Sequence, residues 1–212
     1  MDISMNVDDQ ISAPSRLPMA LTLSRIAAGP LIAALIVWAA HLSFTDRWTA
    51  ALIYACGFVL FALAALTDWL DGVLARKSGS VSTLGAALDH GADKVLTACV
   101  LVALAYAALP ADLVIATILL LGRDIGIAAL REGLSNAGKP LPVSQGGKVK
   151  TALLLAAILV ILALQVAALV FAPAQIIDVL AWAGRVTLWV AAGLALWTGA
   201  GYLRDAFTPT SR

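Results

Sequence analysis

Four aspartates crowd one short segment of a chain that is otherwise mostly apolar: Asp68, Asp71, Asp89 and Asp93. Asp68 and Asp71 are three residues apart, and Asp89 and Asp93 are four apart. At those separations two residues share one face of a helix, a turn apart. Between the pairs lies Lys77-Ser78-Gly79-Ser80, a polar turn that would fold a second helix back beside the first and let all four carboxylates meet. Four anions do not share a low-dielectric site unless cations neutralise them or some are protonated. Carboxylates are hard oxygen ligands that suit Mg²⁺, Mn²⁺ or Ca²⁺ rather than zinc. Two such ions side by side clamp phosphates and stabilise an in-line displacement at phosphorus. Gly72 and Ala75 follow the first pair, and Gly85 lies one turn before Asp89. Such small residues let a ligand approach the helix backbones, and the pattern describes a floor for a diphosphate.

A second group of residues is cationic. Arg123 sits within an apolar run, where an arginine is costly and is usually functional or paired. Asp124 is adjacent in sequence and is expected on a different face. Arg131 follows Arg123 by eight residues, a little over two turns, so the two can face one side. Gly147-Lys148-Val149-Lys150-Thr151 opens the next apolar run with two more cations. Arg123, Arg131, Lys148 and Lys150 are candidates to line a pocket for an anionic acceptor, since arginine suits bidentate binding of phosphate. The two lysines also read as anchors at a membrane surface. Arg76 reads either as a partner for an Asp or a phosphate, or as a basic residue at a helix exit.

These groups must be held by membrane helices. The 212-residue chain is 61% hydrophobic with a mean hydropathy of +0.94, well above a soluble domain. Its apolar runs reach the roughly 20 residues that cross a bilayer. They are rich in Ala and Leu and show no strand-like alternation. The expectation is an all-α, polytopic membrane protein with six spans around a cytoplasm-facing polar cavity. The spans are expected over about 21–40, 48–76, 83–109, 113–134, 148–171 and a sixth ending near Tyr202, whose start Asp178 and Arg185 obscure. Residues 16–25 mix Leu17, Met19 and Leu21 with Arg16 and Arg25, and read as a helix along the membrane surface. Residues 1–15 and 206–212 read as tails flanking one membrane domain over 16–205. Lys and Arg concentrate on the side of Arg76, Lys77, Arg131, Lys139 and Arg204, so that side and both termini are expected in the cytoplasm. Cys56 and Cys99 lie in apolar runs and read as packing residues. His41 reads as a loop residue without a partner, and His90 as incidental.

The residues alone leave two readings open. One is metal-dependent chemistry at phosphorus. The other is a cation-coupled transporter that uses the carboxylates as an ion site.

Asp68-x-x-Asp71-Gly72-x-x-Ala75-Arg76, eight residues, then Gly85-x-x-x-Asp89-x-x-x-Asp93 resembles the complete signature of the CDP-alcohol phosphotransferase family. The resemblance implies a membrane enzyme that moves a phosphatidyl or similar group from a CDP-linked donor to an alcohol and releases CMP. It implies that Asp68, Asp71, Asp89 and Asp93 hold two Mg²⁺ or Mn²⁺ ions, and that Asp93 is the general base. It further implies that Gly72, Ala75 and Gly85 pack against the cytidine end of the donor, with Asp68, Asp71 and Arg76 beside it. Leu21-Thr22-Leu23-Ser24-Arg25 and the stretches around Arg123 and Lys148 are similar to bacterial phosphatidylglycerophosphate synthases. That similarity implies CDP-diacylglycerol and sn-glycerol 3-phosphate as substrates, with Arg25 added to the acceptor-binding cations. It also implies a homodimer in the bacterial inner membrane and no nucleic acid partner. The chain departs from the usual pattern at Met19-Ala20, at His90-Gly91 and at Asp124, which stands where a Glu is common. Phosphatidylglycerol (as for a cardiolipin synthase), inositol phosphate and serine stay open as acceptors.

Overall fold

The computed structural model describes the backbone of residues 16–78, 83–136 and 146–207, with side chains over 24–67, 91–134 and 149–204. Residues 1–15, 79–82, 137–145 and 208–212 lie outside the described residues; of the expected C-terminal tail, 206–207 are helical instead, as are Lys77 and Ser78 of the expected turn. Six helices follow in order: α1 Arg16–Leu42, α2 Arg47–Ser78, α3 Thr83–Ala107, α4 Ala111–Asn136, α5 Gly146–Leu169 and α6 Ala174–Phe207. The described residues contain no strand. Five of the helices are long and apolar enough to cross a membrane over their described residues. The remaining one, α3, has 25 residues, about 37 Å of helix. The protein is a multi-pass membrane protein.

One expectation about the elements is corrected and one open boundary is placed. No separate surface helix precedes the first span, because α1 runs unbroken from Arg16 to Leu42. Pro18 falls in its first turn, where a missing N–H breaks no hydrogen bond. The start of the sixth span, which Asp178 and Arg185 obscure in the sequence, falls directly after Pro173, and α6 runs through both residues. Arg185 Nε and Nη2 donate to Asp112 at 2.8 and 3.2 Å, tying α6 to the start of α4.

At the same end of the bundle, Asp46 caps α2. Its Oδ1 accepts from the Thr49 backbone N–H at 3.1 Å, and its Oδ2 from the Thr49 hydroxyl at 2.5 Å. The hydroxyl bond is the main cause holding the Asp46 carboxyl below its ordinary range. His41 falls in the last turn of α1 rather than in a loop, and its ring lies 6.4 Å from that of Tyr106, tilted by 59°. A cavity of about 320 Å³ opens at this end, lined by His41, Tyr54, Tyr106 and Gln165 among others.

In a bilayer, helices gain little from hiding apolar surface and associate through close packing. Each helix sends large or small apolar residues inward: Ile32 and Ile36, Phe61, Leu96 and Leu104, Leu120, Ile158 and Leu162, and Leu188 with Ala191, Ala192 and Ala195. α1 packs on α2 and α3, α5 on α2 and α6, and α4 on α6. Leu31, Trp38, Leu52, Ile118, Trp182 and Trp197 point outward with their apolar surface exposed, as a helix facing lipid requires. Cys56 is also exposed and not a packing residue, and both cysteines are free.

One crossing is unusually close. A Cβ placed on Gly29 would lie 3.0 Å from the Cα of Leu96 and 3.3 Å from the Val95 carbonyl oxygen. Only glycine lets α1 and α3 touch backbone to backbone here. One turn back along each helix stand Arg25 and Ala92-Asp93.

Candidate active site

The acidic signature falls on helix as expected. Asp68 and Asp71 lie in the last turns of α2, and Asp89 and Asp93 in the first turns of α3. The three- and four-residue spacings therefore place each pair on one helix face. The side chains of Asp68, Asp71, Gly72, Ala75, Arg76, Gly85, Asp89 and Lys148 lie outside the described residues. Asp93 is described and half-buried, and its carbonyl accepts the Thr97 hydroxyl at 3.0 Å. Arg25, on α1, is 3% exposed.

Helices α3, α4, α5 and α6 bring cations together beside this segment. Arg123 on α4 spends its guanidinium on three partners, each at 2.9 Å: Nε donates to the Ala195 carbonyl, Nη1 to Asp124 Oδ1 and Nη2 to the Thr198 hydroxyl. Lys150 on α5 is 5% exposed, and its Nζ donates to Asp124 Oδ1 at 2.8 Å and Oδ2 at 2.7 Å. Arg131 and Arg123 sit over the one ring of Tyr202 on α6, at 5.8 and 5.9 Å from its centroid. The eight-residue spacing thus does place both arginines on one side. Arg131 Nε is buried with no hydrogen-bond partner among the described residues. Lys94, the neighbour of Asp93, lies within electrostatic reach of Asp124, Lys150, Arg131 and Arg123. Lys94 thus brings α3, the helix that carries Asp93, within reach of the cation cluster.

Asp124 was expected on a different face from Arg123, yet the two side chains pair. Residues adjacent on a helix point in different directions at Cβ, but an arginine stem is long enough to curl round and meet its neighbour's carboxylate. Asp124, Thr198 and Tyr202 had no assigned role in the sequence reading. Thr198 and Tyr202 are four apart near the end of an apolar helix, a spacing that marks a shared polar strip. Nothing local says that the strip meets α4. Gly199 is the steric counterpart: a Cβ there would lie 3.2 Å from Arg123 Cγ and 3.3 Å from its Nε.

Comparison with known proteins bears on this region directly. The family model described as CDP-alcohol phosphatidyltransferase matches residues 15–197. A chloroplastic/mitochondrial CDP-diacylglycerol–glycerol-3-phosphate 3-phosphatidyltransferase of Arabidopsis thaliana is 36% identical over 89% of this chain and 62% of its own length. A cardiolipin synthase (CMP-forming) of rice is 34% identical over 89% of the chain and 56% of its own length. The chain thus spans about six-tenths of these two plant relatives. It spans nearly all of a bacterial relative: the CDP-diacylglycerol–glycerol-3-phosphate 3-phosphatidyltransferase of Pectobacterium atrosepticum is 36% identical over 90% of this chain and 94% of its own length. The matched region takes in α1 to most of α6, and with them both the paired aspartates and the cation cluster; the chain belongs to the CDP-alcohol phosphatidyltransferase family.

Proposed function

We propose that the protein transfers the phosphatidyl group of CDP-diacylglycerol to sn-glycerol 3-phosphate, giving phosphatidylglycerol phosphate and CMP. The observation that carries the choice of acceptor is the cation cluster. Lys94, Arg123, Arg131 and Lys150 gather where Asp124 returns one negative charge. An acceptor with its own phosphate would offset the excess, which a serine would not. The names of the bacterial relatives point to the same acceptor.

Members of this family generally use divalent metal ions. The donor set fits such an ion: four carboxylates, paired at helical spacing on α2 and α3. Asp68, Asp71, Asp89 and Asp93 would hold two Mg²⁺ or Mn²⁺ ions, which when bound neutralise charge on the donor diphosphate. The Asp93 carboxylate takes the proton of the acceptor hydroxyl. The freed oxygen attacks the phosphatidyl phosphorus, a new P–O bond forms, and the bond to the CMP oxygen breaks. Such a base contributes about 10²–10⁴-fold. Gly72, Ala75 and Gly85 would leave room for the cytidine end, with Arg76 beside the donor phosphates. Arg25, Arg123, Arg131, Lys148 and Lys150 would hold the acceptor phosphate. The membrane domain spans 16–205 between two tails, works as a homodimer, and lies in the bacterial inner membrane with site and termini in the cytoplasm.

The test is CMP release by the purified protein with CDP-diacylglycerol, offering sn-glycerol 3-phosphate, phosphatidylglycerol, inositol phosphate and serine in parallel. Release that needs sn-glycerol 3-phosphate, stops with EDTA and returns with Mg²⁺ or Mn²⁺ is the expected result. Turnover with phosphatidylglycerol instead would favour a cardiolipin synthase, the reading that the rice relative supports. Cation-dependent flux without CMP release would favour a transporter.

A further inference from the structure

We propose that Asp124 is a positioning residue for the acceptor phosphate, acting through Lys150 and Arg123; this rests on the acceptor reading above. A carboxylate inside an apolar bundle is costly unless it is paired. Both oxygens of Asp124 are engaged: Oδ1 accepts from Arg123 Nη1 at 2.9 Å and Lys150 Nζ at 2.8 Å, and Oδ2 from Lys150 Nζ at 2.7 Å. One carboxylate thus joins a cation from α4 to a cation from α5. Through Arg123 the bond extends to the Ala195 carbonyl and Thr198 of α6.

The clamp leaves donors over. Among the described residues Arg123 uses three of the five N–H groups of a guanidinium. Lys150 carries three donors on a flexible stem and, among the described residues, directs its ammonium at the Asp124 carboxylate. Without Asp124 the two cations repel each other, and a lysine that is 5% exposed swings away from its place. With Asp124 the remaining N–H groups stand at fixed places, beside Arg131 on the shared Tyr202 ring. Fixed donors bind an incoming phosphate without reorganising, as donors in a preorganised site do. The assignment reverses the simple electrostatic expectation, in which a carboxylate next to an anion site weakens binding.

Steady-state CMP release decides it, with acceptor and donor varied separately for wild type, Asp124→Asn, Asp124→Glu, Lys150→Gln and the Asp124→Asn/Lys150→Gln double variant. Asp124→Asn should raise the acceptor KM by about 10–100-fold, the size expected for charge-assisted hydrogen bonds, and leave the donor KM nearly unchanged. Asp124→Glu should restore most of the loss. The double variant should fall well short of the product of the two single defects, because part of the effect of Asp124 runs through that lysine. A lowered or unchanged acceptor KM in Asp124→Asn overturns the proposal, as does a double variant whose defects multiply. If Asp124→Asn does not fold, Lys150→Gln carries the comparison beside the charge-keeping Asp124→Glu: an acceptor KM insensitive to Lys150→Gln overturns the clamp. Wild type that releases CMP only with a different acceptor overturns the acceptor reading alone, and the same KM comparison is then made on that acceptor.

Discussion

Replacing Gly29 by alanine tests the crossing on which the site's geometry depends. The new Cβ would lie 3.0 Å from Leu96 Cα, 3.3 Å from the Val95 carbonyl oxygen and 3.4 Å from the Leu96 nitrogen. All three are backbone atoms of α3, so no side chain can turn aside to make room. Carbon atoms rest at about 3.5–4.0 Å, so α1 and α3 must part by roughly 0.5–1 Å. Overpacking of this kind costs about 1–3 kcal/mol. Alanine's better helix propensity offsets at most about 1 kcal/mol of that. With the full offset the net loss is roughly 0–2 kcal/mol, which lowers Tm by at most a few degrees and leaves the protein folded. Turnover should suffer more. Asp93 lies one turn from the contact, and a misplacement of about 1 Å at a reacting centre can cost about 10²-fold. Gly57→Ala is the control, because its Cβ would meet only Ile32 Cγ2 at 3.9 Å, an ordinary contact. The assay pairs thermal unfolding in detergent with CMP release at saturating substrate. If Gly29→Ala matches Gly57→Ala in both, the backbone contact does not set the site, and the reasoning fails.

Three further outcomes are expected. Gly199→Ala pushes on Arg123 Cγ and Nε and should raise the acceptor KM several-fold, whereas Gly201→Ala on the same helix meets nothing within 4 Å and should behave as wild type; acceptor titrations of the two side by side check this. Asp93→Asn should abolish CMP release while largely sparing CDP-diacylglycerol binding, measured by lipid-nucleotide titration of the inactive variant; normal turnover would remove Asp93 as the base. Arg123→Ala should lower Tm as well as raise the acceptor KM, since it breaks three hydrogen bonds between α4, α6 and Asp124; a donor KM raised equally would assign the arginine to structure or donor binding.

The sequence by itself determined the all-helical class and the order of the long apolar helices, and it put the paired aspartates on them at one-turn spacing. Those features are local: apolar run length, Pro and Gly breakers and the helical repeat are all readable within a few turns. The one long α1 was misread for a related reason, since a mixed segment such as 16–25 looks interfacial until its continuity with the next turn is seen. The tertiary structure alone decided which cations are already bound to protein groups. Arg123 meets Ala195 and Thr198 more than seventy positions away, and Lys150 reaches Asp124 across twenty-six. Such pairings depend on how each helix is rotated about its axis and which helix lies beside it. Close contacts at Gly29, Gly184 and Gly199 help fix that rotation, and a one-dimensional pattern of apolar residues, hydrophobic nearly all round each helix, leaves it undefined.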